Sequence, residues 1–140
     1  MRYVPFLKAG LLVVIISISW TTIQPPDCKT IQNGTFYFYP PDQKDGFKLI
    51  RNDSLQVEVE LKTNDTSFWK IQWINECVCT SKFISTTKKK VPKEFLDMVN
   101  NHIMFMEVME VTDKYYRMRV RVDSLSNSEY YEDKIWLQPK

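Results

Sequence analysis

The sequence predicts a mainly β protein: about eight strands in an antiparallel meander, curled into a barrel or half-barrel, with one short helix near residues 92–101. Three observations carry this expectation. Nearly every segment after residue 33 alternates apolar and polar side chains with a period of two, the pattern of strands with one buried and one wet face. Asn, Asp, Ser and Pro interrupt these segments at short intervals, so neighbouring strands are joined by tight turns rather than crossovers. A single segment carries helical spacing instead. A meander of this length either closes on itself or splits into two packed sheets, and the curled form is the one expected here.

The elements follow in order. The run "GTFYFYP" (34–40) is aromatic and stops at Pro40-Pro41, and "FKLIRND" (47–53) follows a polar loop. Asn52-Asp53-Ser54 has tight-turn chemistry. "LQVEVELK" (55–62) then sets Leu55, Val57, Val59 and Leu61 on one face and Gln56, Glu58 and Glu60 on the other. "TSFWKIQWI" (66–74) groups Trp69, Ile71 and Trp73, with Lys70 and Gln72 opposite, before a turn at Asn75-Glu76 leads into "CVCTSKFI" (77–84). "VPKEFLDMVNN" (91–101) breaks the period. Pro92 stands where a helix tolerates proline, Glu94 and Asp97 lie in the first turns, and Phe95, Met98 and Val99 share a face. Two further strands, "HIMFMEVMEV" (102–111) and "YYRMRVRVD" (115–123), flank a turn at Thr112-Asp113-Lys114. In the second, Tyr116, Met118, Val120 and Val122 oppose Arg117, Arg119 and Arg121. A polar loop precedes a last strand, "KIWLQ" (134–138).

Residues 1–24 read as an export signal preceding one β domain over 25–140. Arg2 and Lys8 stand before an apolar run from Ala9 to Ile18, Ser17 and Ser19 suit cleavage, and no acid precedes Asp27. An uncleaved anchor extending through Ile23 is the alternative. The expected compartment is therefore periplasmic or secreted, with membrane contact only through an uncleaved N-terminus. Losing Arg2 and Lys8 leaves 17 basic and 17 acidic side chains, so the net charge of +2 belongs to the leader. A neutral domain lacks the electrostatic pull that sequence-independent nucleic-acid binding requires, and nucleic acid is set aside as a partner.

Four stretches, "C…NGTFYFYP", "LIRNDSLQVEV", "WKIQWINEC" and "MEVTDKYYRM", resemble a family of small exported proteins from flavobacteria and their relatives. The likeness runs from Cys28 almost to the C-terminus. It implies a lipocalin-like β-structure and no established activity. Members often carry the label DNA topoisomerase IV, which does not suit a chain of 140 residues without a phosphate-binding glycine loop. Where the family has an aromatic residue two positions after the "W…C" cysteine, this chain has Cys79.

The three cysteines are Cys28, Cys77 and Cys79. Exported cysteines form disulfides by default. Side chains at i and i+2 on a strand stand roughly 6.6 Å apart, whereas a disulfide needs Cβ atoms about 3.8 Å apart, so Cys77 cannot bridge Cys79. The family places its cysteines at the positions of Cys28 and Cys77, which implies that pairing, with Cys28–Cys79 as the alternative. A Cys3His zinc set with His102 conflicts with the usual spacing of paired ligands and with an oxidising compartment, and no metal or cofactor is expected.

No catalytic motif is visible. His102 is the only histidine, so a hydrolase using a histidine base would have to use it. Its place between helix and strand suggests a surface or capping role instead. The Arg117, Arg119 and Arg121 stripe reads as a solvated face whose partners are sought among Glu58, Glu60 and Glu107. Tyr37, Tyr39, Trp69, Ile71 and Trp73 are the candidate lining of a ligand cavity. The leading expectation is a non-enzymatic binding or interaction module for a small hydrophobic or lipid-like ligand. A small secreted hydrolase and a purely structural envelope protein are the alternatives. A cavity of several hundred cubic ångströms would separate a binding role from a filled core.

Overall fold

The computed structural model describes residues 25–126 and 129–140; the expected signal segment, residues 1–24, lies outside them. Eight strands form a closed antiparallel barrel in chain order. They are β1 (Gly34–Phe38), β2 (Phe47–Asn52), β3 (Leu55–Glu60), β4 (Thr66–Trp73), β5 (Val78–Thr86), β6 (Met104–Val111), β7 (Tyr115–Val122) and β8 (Tyr131–Trp136). One helix, α1 (Lys93–Asn101), lies between β5 and β6. The expected meander and its short helix are both present, and the sheet closes fully. Among the described residues no helix is long and apolar enough to cross a membrane.

Local chemistry places the turns. Asn75 accepts the backbone N–H groups of Cys77 and Val78 on its side-chain oxygen, both at 2.9 Å, which folds the β4–β5 turn. Thr112 caps the β6–β7 turn by donating its hydroxyl to the Tyr115 carbonyl at 2.8 Å. Asn64, at φ +60°, supplies the left-handed residue of the β3–β4 turn, a conformation asparagine tolerates. The ring closes where Tyr37 pairs with Trp136 and Phe38 with Ile135, the shortest seam of the barrel.

The two ends differ. At one end the turns β2–β3, β4–β5 and β6–β7 meet a 3-10 turn, Cys28–Ile31, that precedes β1. Cys28, Ile31, Phe36, Leu49, Val108, Tyr116 and Ile135 pack there into a closed core. The Cys28–Cys77 disulfide, with Cα atoms 5.2 Å apart, ties the 3-10 turn to the β4–β5 turn. This is the pairing implied by the resemblance. At the other end α1 lies against β5, and Val99 of the helix joins Trp69, Ile71, Cys79 and Met106 in a second cluster.

Alternation holds along the strands, but on β3 the faces are reversed from expectation. Gln56, Glu58 and Glu60 point into the barrel, and Leu55, Val57 and Val59 face outward. Register dictates this. Arg51 pairs with Gln56, Leu49 with Glu58 and Phe47 with Glu60, and directly paired residues share a face. The outward apolar residues meet their own kind: Val57 stands between Ile50 on β2 and Phe68 on β4. The last strand starts at Tyr131, three residues before its expected start, because Tyr131, Asp133 and Ile135 form its inward row.

Candidate functional site

The barrel encloses a cavity of about 650 Å³ that opens at the end covered by α1. Its walls are strand residues from the inward rows. Phe38, Phe47, Leu49, Trp69, Met104, Met106, Met118, Val120 and Ile135 supply the apolar surface, and Phe95 and Met98 of α1 complete it. Such a volume lies within the range of roughly 300–1,000 Å³ found for small-molecule sites.

Polar groups enter from β3, β4, β5 and β8. Beneath the cavity Arg51, only 4 % exposed, is held by the whole surrounding shell. It donates to Gln56 Oε1 at 2.8 Å, to the Ile31 carbonyl at 3.0 Å and to the Tyr116 hydroxyl oxygen at 3.1 Å. Its guanidinium also lies 5.4 Å from the centre of the Phe36 ring and 5.9 Å from that of Trp73. A buried charge is tolerated when it is fully hydrogen-bonded, and here the sequestered cation organises the closed end.

Gln56 carries the chain of hydrogen bonds upward, donating from Nε2 to Glu58 Oε1 at 2.7 Å. Glu58 is enclosed by protein yet open to the cavity. Burial pushes its carboxyl above the usual range, opposed by the hydrogen bond from Gln56, by the Trp69 indole and by the charge of Arg51. The Trp69 N–H contributes through proximity only, since it forms no hydrogen bond of acceptable geometry. Among the described residues Glu58 has no salt-bridge partner, whereas Glu60, one step nearer the mouth, pairs with Lys88 at 2.9 Å. Across the opening Tyr131 donates its hydroxyl to Asp133; desolvation and that carboxylate push the phenol up to about 12.

The sequence-based lining residues separate into three groups. Trp69 is on the cavity wall. Ile71 and Trp73 share its inward row but lie deeper, packed in the closed cores. Tyr37 and Tyr39 do not line the cavity, which corrects the expectation. Tyr37 pairs with Lys48 on the outer face, and the inward positions of β1 belong to Phe36 and Phe38. Tyr39 lies over Gly46 in the β1–β2 connection, where any Cβ would collide with its ring. Sequence reasoning missed Gln56, Glu58 and Glu60, which the alternation placed on the wet face.

The remaining candidates fall outside the cavity. His102 ends α1 and pairs through Nδ1 with Asp123. The Ile103 backbone N–H, at 3.0 Å, and then His102 hold that carboxyl below its usual range. Cys79 is a free, buried thiol that burial pushes up to about 11, so it stays protonated and unreactive. With Cys28 and Cys77 bonded to each other, the Cys3His set loses two of its four ligands. No cluster of His, Cys, Asp or Glu among the described residues has the arrangement of a metal site. On the outer face Arg117 and Arg119 pair with Glu132, at 3.2 and 2.8 Å, and Arg121 pairs with Glu107 at 3.1 Å. Of the three acids expected to balance this stripe only Glu107 does so, because Glu58 and Glu60 point inward.

Fold and site together define a small eight-stranded meander barrel with one sealed end and an internal cavity reached from the other. No protein-family model, curated protein or solved structure matches the chain.

Proposed function

We propose that this is an exported, non-enzymatic binding protein whose barrel interior receives a small, largely apolar ligand. The observation that carries the reading is the cavity of about 650 Å³ inside a barrel whose other end is fully packed. Apolar walls of this kind favour hydrocarbon, at roughly 25 cal/mol per Å² of apolar surface removed from water. Four of the wall residues, Met98, Met104, Met106 and Met118, are methionines, whose flexible thioethers mould to ligands of varied shape. The native disulfide supports export, since such bonds persist in oxidising compartments. The polar contacts of His102 lie outside the cavity, which favours binding over hydrolysis.

Native mass spectrometry of protein purified from its own host tests for a retained ligand. An uncharged probe, N-phenyl-1-naphthylamine, tests the cavity directly. Its fluorescence is expected to rise on binding, and Val120→Trp, which places an indole in the cavity wall, is expected to abolish the rise while leaving the urea midpoint within the folded range. A probe signal unchanged by Val120→Trp would move binding to the outer surface and sink the reading.

A further inference from the structure

The cavity is not evenly lined. Its charged wall groups are the four carboxylates Glu58, Glu60, Asp65 and Asp133, against the single ammonium of Lys88. Lys88 is already paired with Glu60 at the mouth, and the three hydrogen bonds of Arg51 go to Gln56, Ile31 and Tyr116. Asp133 accepts the Tyr131 hydroxyl and the Lys134 backbone N–H. Glu58 stands between the mouth and the Arg51 floor with a neutral amide donor as its neighbour and, among the described residues, no cation paired with it.

We propose that the preferred ligand is an amphiphile with a cationic head, of the alkylammonium class, whose ammonium seats on Glu58 while its chain runs along the methionine wall. This deepens the binding function above and rests on it. Three features of the wall converge on such a head group. Glu58 accepts one hydrogen bond from Gln56 and retains acceptor capacity for more, and an ammonium is a donor-only group with three N–H bonds. Trp69 stands diagonally next to Glu58, since it pairs with Gln56 across β3 and β4, and indole is the aromatic ring that attracts cations most strongly. The net negative wall repels fatty-acid carboxylates, so the same arrangement rejects the commonest anionic amphiphiles. Desolvation by burial, which holds the Glu58 carboxyl above its usual range, disfavours the ionised form. An incoming cation adds its charge to that of Arg51 and favours that form.

Dodecylammonium, dodecanol and dodecanoate share one chain and differ only in head charge, so titration calorimetry with the three at neutral pH isolates the head group. Dodecylammonium is expected to bind roughly tenfold or more tighter than dodecanol, the scale of one hydrogen bond to a charged group, with dodecanoate weakest. Glu58→Gln, which keeps the shape and the chain of hydrogen bonds, is expected to erase the difference between dodecylammonium and dodecanol. Dodecanoate binding as tightly as dodecylammonium would overturn the proposal and leave the cavity function standing, as would an ammonium preference that survives Glu58→Gln. Failure of all three probes to bind would overturn both.

Discussion

The two ends of the barrel bury polar groups in opposite ways. At the sealed end one cation, Arg51, reaches three acceptors on three different parts of the chain, and the aromatic rings of Phe36, Trp73 and Tyr116 surround it. At the open end a carboxylate, Glu58, lines the cavity with one amide donor and, among the described residues, no ion-pair partner. The same β2–β3 hairpin carries both: Arg51 on β2 pairs with Gln56 on β3, and Glu58 lies two residues beyond Gln56 on that inward row. One end surrounds its buried charge with three hydrogen-bond acceptors, and the other leaves a carboxyl with one amide donor. The sealed end is not perfect: among the described residues the Trp73 Nε1 is buried without an acceptor, although its ring packs against both clusters and the Arg51 guanidinium.

The sharpest difference between the ends should be mechanical. The disulfide closes a loop with a sequence separation of 49, and chain-entropy arguments give such a loop about 4 kcal/mol. Replacing both Cys28 and Cys77 with serine is expected to lower stability by about that amount in urea melts, and to loosen the sealed end first. Hydrogen exchange should show the amides around Val108 and Tyr116 losing protection ahead of those near the α1 end. A uniform loss of protection would mean that the ends are one cooperative unit and that the distinction is only geometric.

Much of this architecture is written in the sequence and some of it is misdirected there. The period of two locates the strands, Asn52-Asp53-Ser54 and Asn75-Glu76 locate turns, and Pro92 marks the helix start. Alternation, however, says which residues share a face and not which face is inside. For β3 the rule that apolar residues go inward chose Leu55, Val57 and Val59, and the barrel chose Gln56, Glu58 and Glu60. The conflict was readable in the hairpin itself. A turn at Asp53-Ser54 pairs Asn52 with Leu55, which forces Leu49 opposite Glu58 and Phe47 opposite Glu60, so an apolar row and an acidic row must share one face. A solid core would forbid that arrangement, while a barrel with an internal cavity permits it. The same blindness cut β8 short, because an inward Asp133 breaks the apolar pattern that would have announced the strand.

Two glutamines bring the comparison to single residues. Gln56 and Gln72 occupy the polar rows of adjacent strands and look equivalent in sequence. Gln56 is 4 % exposed and joins Arg51 to Glu58, whereas Gln72 is exposed on the outer face opposite Trp69 and Ile71. Gln56→Ala is expected to cost roughly 1–3 kcal/mol, the penalty for stranding buried polar partners, and Gln72→Ala less than about 0.5 kcal/mol, as surface changes do. Equal costs in urea melts would mean that the inward row of β3 contributes nothing to joining the two ends.

A last effect concerns Glu58 and has the opposite sign. Burial raises its carboxyl pKa in the folded protein above that of the unfolded chain, so the native state binds this proton more tightly than the unfolded state does. Its contribution to stability is therefore fully present below the unfolded pKa and is lost as pH rises through the folded value. Above its folded pKa the native protein holds a carboxylate that burial disfavours. Glu58→Gln removes that penalty while keeping the amide partner, and is expected to raise stability by roughly 0.5–2 kcal/mol, the usual range for a single stabilising change. The gain should shrink as pH falls below the folded pKa, where Glu58 itself becomes neutral. Urea melts of the two proteins across that window read the difference directly, and a Glu58→Gln variant less stable above the folded pKa would mean that Arg51, acting through Gln56, already supplies the counter-charge. In that case the open end would be as well matched as the sealed one, and the carboxylate would belong to the scaffold rather than to a ligand.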